Sequence, residues 1–197
     1  ESADYVGATI EINGWAEHKY GSVNSLNQLI RGAGLILHLQ ANPNLNFQEF
    51  FTDDEFTYKV SYTQNTQLVF VGWVDPAGYF ESFVTKDYEL QVTCVDGFTY
   101  LENLSYVDLL GVPFRGKQNG YDIIRYALAK NKLNLNFNTS INTIYTGFNP
   151  ANDITTGAYF DTARFVKDDG DTIMSCLEVL KDILNTWGAT IGQYDGE

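Results

Sequence analysis

Residues 56–63, FTYKVSYT, place Phe56, Tyr58, Val60 and Tyr62 on one side of an extended chain and Thr57, Lys59, Ser61 and Thr63 on the other. Side chains alternate between the two faces of a strand, so this stretch predicts a half-buried β-strand. A short polar turn, QNT at 64–66, follows. QLVFVGWV then runs apolar on both faces, as expected of a strand covered on both sides. Gly72 inside it predicts a bulge or a close backbone approach. DPAG at 75–78 predicts a turn. YFESFVT and YELQVTCV complete the meander, with Tyr88, Leu90, Val92 and Cys94 alternating against Glu89, Gln91 and Thr93. Four consecutive short strands predict an antiparallel sheet curled towards a barrel.

Two earlier stretches extend this reading. DYVGATIEI reads as a strand, and so does NQLIRGAGLILHLQA, where Leu35, Leu37 and Leu39 oppose Ile36, His38 and Gln40. The pattern changes after Val95. Phe98, Leu101 and Leu104 recur every three residues, predicting a short helix with Asp96 as its N-cap. GVPFRGKQNG reads as a linker. YDIIRYALAKN predicts a short amphipathic helix that buries Ile123, Ile124, Ala127 and Leu128 and ends near Asn131. Residues 132–160, rich in Asn, Thr and Gly, read as a long irregular connection with one strand at Thr143–Thr146. A connection of that length points to function or to an intermolecular contact. Ile173, Cys176, Leu177, Leu180, Ile183, Leu184 and Trp187 form one continuous helical stripe, and Gly188 fits its C-terminal cap. ATIGQY predicts a closing strand and DGE a hairpin turn, which would leave an unpaired edge at the terminus. From that we expect the intact protein to continue past Glu197. Likewise, Glu1 in place of a Met predicts a removed leader or a fragment, and no signal-peptide pattern is visible.

The chain has 197 residues, 44% hydrophobic and 15% aromatic, with a formal net charge of −13. This is enough to build a real core, and it excludes a disordered class. Twelve basic residues among 25 acidic ones make nucleic acid and anionic lipid poor tight partners. No stretch approaches the roughly 18–20 apolar residues that span a bilayer.

The candidates for chemistry each have a structural reading. Asp168, Asp169 and Asp171 in DDGD fail the calcium-loop pattern in either register, because position 12 falls on Val179 or Leu180 where a bidentate Glu is needed. The motif reads instead as the entry to the last helix, with Asp171 or Thr172 as its cap. Cys94 and Cys176 read as two buried thiols, too few for a disulfide framework and without zinc spacing. His38 reads as a partly buried polar filler, and His18 sits among charged and polar neighbours. TDDE at 52–55 reads as solvated loop charge, although two carboxylates are also what glycoside hydrolysis needs. Trp15, Trp73 and Tyr79 read as core, with a sugar-stacking platform as the alternative. No nucleophile elbow or phosphate-binding glycine loop occurs. The sequence therefore offers no catalytic, cofactor-binding or metal-ligating residue, and predicts a non-enzymatic protein that needs no cofactor.

One ordered set of motifs resembles a known family. VFVGWVDPAGYFES is followed by VTCVDGFTYLENLSYVD, then GKQNGYDIIRYALAKNKLNL, a long insert, and DDGDTIMSCLEVLKDILNTWGATIGQYDG. This order, over roughly residues 30 to 197, is similar to the central hub proteins of phage tail baseplates, including the late control protein D type. In detail it is similar to uncharacterised tail proteins of Bacteroidales prophages. Three features carry the likeness: the Val69–Val74 phrase, Val95–Asp96 leading into Phe98–Leu104, and Trp187–Gly188–Ala189 ahead of Asp195–Gly196. The resemblance implies a structural virion protein, assembled in the bacterial cytoplasm and located in the tail. It would form a homo-oligomeric ring, usually a trimer, that connects the tail tube to the spike or fibre apparatus through other tail proteins. DNA would pass through such a ring without sticking, which an acidic lumen would favour. No membrane partner is implied. The chain departs from the family pattern in its long 132–160 insert and its incomplete second barrel.

The expected fold is thus α+β: an antiparallel meander or partial barrel over 1–112, then a helix-containing second domain with a small sheet over 113–197, incomplete at its C-terminus. Edge strands and the long loop are the expected contacts with neighbouring subunits. The alternative function is a carbohydrate-binding module or glycan hydrolase acting on cell-surface polysaccharide, and a third is a soluble interaction domain.

Overall fold

A computed structural model describes residues 14–20, 28–40, 52–81, 89–141 and 154–196. The strand expected at 4–12, the one at Thr143–Thr146 and the segment 82–88 lie outside these residues. The fold is α+β. A curled antiparallel sheet of five strands is followed by helices and two two-stranded sheets.

The sheet runs β1 (Gly14–Tyr20), β3 (Ala33–Gln40), β6 (Glu89–Val95), β5 (Gln67–Glu81), β4 (Lys59–Gln64). Between β1 and β3 lies the short β2 (Ile30–Arg31). β4 and β5 are joined at Asn65 and Thr66, both with positive φ (49° and 68°), which gives the hairpin a twist matched to its strands. The DPAG segment does not end a strand. β5 continues through it, and the register with β6 slips between Val74 and Tyr79. The extra residues bulge out, and the bulge is closed by the Ala77 N–H donating to Asp75 Oδ1 at 3.0 Å. The turn expected at 75–78 does not form: the strand runs through it, and the ladder re-forms beyond the bulge instead of reversing. Gly72 is a close backbone approach, as expected, since a Cβ there would overlap Val95 O and the Phe70 ring.

Leu35, Phe70, Leu90, Val92 and Cys94 form the buried interior of the sheet. A second cluster forms around the helices α1 (Gly120–Ala129) and α3 (Cys176–Trp187), taking in Phe98, Leu101 and Tyr106 from the chain before them. Gly120 lets the two helices meet, because a side chain there would collide with the Trp187 ring. β7 (Lys117–Asn119) leads directly into α1, and between the two helices lie one helical turn α2 (Ile154–Gly157) and β8 (Tyr159–Asp161), which pairs with β7. β9 (Ile191–Gly192) pairs in parallel with β2. Residues 133–141 have no regular structure, as expected, but the connection closes at Ile154 and not at 160.

Two helix starts differ from expectation. The first is a 3₁₀ turn, Thr99–Glu102, preceded by Phe98 with no side-chain cap. Asp96 does accept the Phe98 N–H (3.1 Å), but its other oxygen accepts the Ala33 N–H, so it ties β6 to the start of β3. The second is α3, which begins at Cys176. Its cap is Ser175 in a capping box, with the Glu178 N–H donating to Ser175 Oγ (3.2 Å) and the Ser175 N–H donating to Glu178 Oε2 (2.7 Å). Neither Asp171 nor Thr172 caps it. An S-x-x-E signal four residues past the end of DDGD outcompetes it.

Candidate interaction surface

DDGD is the tip of a small hairpin closed by the Val166–Ile173 bridge. Asp169 accepts from the Asp171 N–H (3.1 Å), the Thr172 N–H (2.8 Å) and the Thr172 hydroxyl, and Gly170 supplies φ 77°. These donors, the Thr172 hydroxyl first, hold the Asp169 carboxyl below its ordinary pKa. The carboxylate is occupied with its own turn. TDDE behaves in the same way: Asp54 Oδ1 accepts the Phe56 N–H at 2.9 Å, and Asp53, Asp54 and Glu55 lie exposed. Among the described residues no group of three or more His, Cys, Asp or Glu side chains could hold a metal ion.

Trp73 is buried. Its indole N–H donates to Asn131 O (2.8 Å) and its ring meets Phe56 edge to face, so it offers no sugar platform. The side chains of Trp15 and Tyr79 lie outside the described residues. His38 is buried mid-strand, and His18 packs edge to face on Phe70 at 5.7 Å. Burial lowers the His18 pKa. Cys94 and Cys176 are buried free thiols whose pKa burial raises to about 12 and about 11. The sequence candidates therefore do not converge on one place.

Among the described residues the most exposed large apolar pair lies at 109–110. Residues 107–113, VDLLGVP, form a tight loop closed by the Val107–Pro113 bridge. Asp108 organises it. Its Oδ1 accepts the N–H of Leu110 (2.9 Å) and of Val112 (2.8 Å), its own N–H donates to Val112 O (2.9 Å), and Gly111 turns the chain at φ 79°. Leu109 and Leu110 stand at the tip, 99% and 88% exposed. Each leucine left in water forgoes about 1.5–3 kcal/mol of burial. The loop is anchored below by an aromatic column, Tyr126–Phe114–Tyr106–Phe165, with ring centroids 4.9–5.3 Å apart. Lys130 Nζ donates to Asp108 O (3.3 Å) and braces it from α1. A fixed backbone presenting two unburied leucines is pre-organised for a partner, since little ordering remains to be done on contact. The signal was in the sequence: an apolar pair between an Asx-turn aspartate and a glycine, with no strand or helix period to bury it.

On the other side of α1 lies a cleft of about 840 Å³. Its walls are α1, the extended residues 134–141 and the segment 187–194, and its apolar lining includes Phe98, Leu128, Phe137 and Trp187. The sheet is open. Among the described residues β1 and β4 each pair along one side only. β4 turns Lys59, Ser61 and Thr63 to solvent, a polar margin that discourages casual strand addition.

No protein family, curated protein or solved structure matches this chain.

Proposed function

We propose that the chain is a structural component of a phage tail. In this reading it is a baseplate-hub subunit that assembles into a ring through protein–protein contacts and joins the tail tube to the spike or fibre apparatus. The reading begins from the ordered motifs that resemble hub proteins. The observation that carries it is the rigid Leu109–Leu110 loop, an apolar contact element that the fold exposes and does not use internally. Among the described residues the outer strands β1 and β4 each pair along one side only, which supports it further. The function is then performed by shape and buried area, with no reaction at any residue. A net charge of −13 suits a ring whose lumen must let DNA slide past.

Negative-stain electron microscopy of the purified chain at high concentration tests the reading. Rings with a central channel are expected. Single particles with no closed assembly at any concentration would refute it. The carbohydrate-binding alternative loses Trp73, one of its three platform candidates, which has its indole N–H bonded and its ring buried.

A further inference from the structure

We propose that the helical half of the molecule is fastened to the sheet by two clasps sharing one seat on β5. When both let go together, the half swings about Asp96–Gly97 with the two cores intact. The inference goes beyond the hub reading and does not rest on it.

The first observation is that the molecule has two cores. Among the described residues the sheet interior draws on nothing beyond Cys94, and the helical cluster takes its buried side chains from Phe98 onward. The chain passes from one to the other at Asp96–Gly97. Asp96 anchors the pivot, since its carboxylate accepts the N–H of Ala33 on the sheet side and of Phe98 on the helical side. Gly97 holds φ 83°, a left-handed backbone that glycine enters at little cost, and hinges are often built from such small residues.

The second is the size of the junction. Among the described residues, Val71 and Trp73 of β5 and Leu133 form a small buried cluster, edged by Phe56, Tyr100 and Leu135. Two bodies are locked by a large apolar interface, and one this small leaves relative motion open.

The third is how the junction is secured. The segment leaving α1 makes one clasp: Asn131 O accepts the Trp73 indole N–H (2.8 Å), and Leu133 O accepts from Lys59 Nζ (2.9 Å). The segment leaving α3 makes the other. The Gln193 amide bonds both backbone groups of Val71, and the Ile191 N–H donates to Leu29 O (2.8 Å) where β9 pairs with β2. Both clasps therefore close on Val71–Trp73. Leu133 covers the same Val71 that Gln193 holds, so release of either clasp lets water reach the other, and the two open as one unit.

The device sets an angle. The unpaired sides of β1 and β4 belong to the sheet half, and the Leu109–Leu110 tip belongs to the helical half. Opening the clasps re-aims one contact surface relative to the other.

Hydrogen exchange of the full chain, followed by NMR across low urea concentrations, tests this. Three protons cross the junction: the Trp73 indole N–H in one clasp, and the Val71 and Ile191 N–H groups in the other. Val92 in β6 and Val179 in α3 report the two cores. Protection factors of the three junction protons should agree within about threefold, lie at least about tenfold below those of Val92 and Val179, and depend only weakly on urea. Trp73→Phe removes one donor from the first clasp, and should lower protection at Val71 and Ile191, in the second, by at least about fivefold and by a common factor. Junction protons as protected as both cores, with the same urea dependence, would show a single rigid body and overturn the hinge. Protection at Val71 and Ile191 that Trp73→Phe leaves unchanged would show independent fraying and overturn the shared release.

Discussion

Replacing Gln193 with leucine should destabilise the protein by about 2–4 kcal/mol, and the reason lies in how the sheet ends. β6 stops at Val95, opposite Trp73 of β5. Val71, two residues further along β5, therefore lies past the last rung on that side. Its backbone groups are satisfied by the Gln193 side chain: the Val71 N–H donates to Oε1 (3.2 Å) and Nε2–H donates to Val71 O (2.7 Å). The amide acts as one extra rung of sheet, and it pins the C-terminal segment to β5. Both residues are buried, at 3% and 4% exposure, so water cannot replace the lost partners. A buried donor or acceptor left unpaired costs about 1–3 kcal/mol, and two are created here. At the midpoints, a loss of about 4 kcal/mol less a return of about 1.5 kcal/mol from leucine's added apolar surface leaves about 2.5 kcal/mol, inside the stated range. For a chain of this size each kcal/mol moves Tm by about 2–4 °C, so a drop of about 4–16 °C is expected. Urea unfolding gives the free energy, and amide exchange should speed up at Val71 in particular. A Gln193→Leu variant within about 0.5 kcal/mol of wild type would show that the side chain is not the missing rung.

Asp96 predicts a pH dependence. Burial raises its pKa from 3.8 to about 6, against the opposing pull of the Ala33 and Phe98 N–H groups. The folded state therefore holds a proton that the unfolded state has released, so stability falls as pH rises between about 4 and 6 and levels off above, by up to about 3 kcal/mol. Urea midpoints across that window should show the slope, and Asp96→Asn should remove it; an unchanged slope in the variant would refute the assignment. Ser175→Ala opens the capping box of α3 and should cost about 1 kcal/mol in urea unfolding, whereas Asp171→Ala and Thr172→Ala should leave the helix start intact. If Asp171→Ala frays the helix as much as Ser175→Ala does, the placement of the cap is wrong.

Periodic stretches were legible from residues alone. Tyr58 to Thr63, Leu90 to Cys94 and the stripe from Cys176 to Trp187 each carry a period that only one kind of element can bury, and Gly72 announced a close approach. What escaped were features decided by competition or by distant partners. DPAG has the composition of a turn, but pairing with β6 resumes beyond it, so the ladder overrides the local preference. DDGD holds good capping residues, but a complete S-x-x-E box lies four residues on, and the aspartates close a hairpin instead. Trp73 looked like either core or platform until Asn131, 58 residues away, accepted its N–H. The Leu109–Leu110 tip has a local signal, an apolar pair between an Asx-turn aspartate and a glycine, but how far that pair stands in solvent is a property of the folded surface.

Native mass spectrometry of the purified chain tests the central claim most directly, that this protein acts by assembling with copies of itself. The account predicts discrete species at multiples of 22.2 kDa, with the trimer prominent as concentration rises. A single 22.2 kDa species up to millimolar concentration would contradict it.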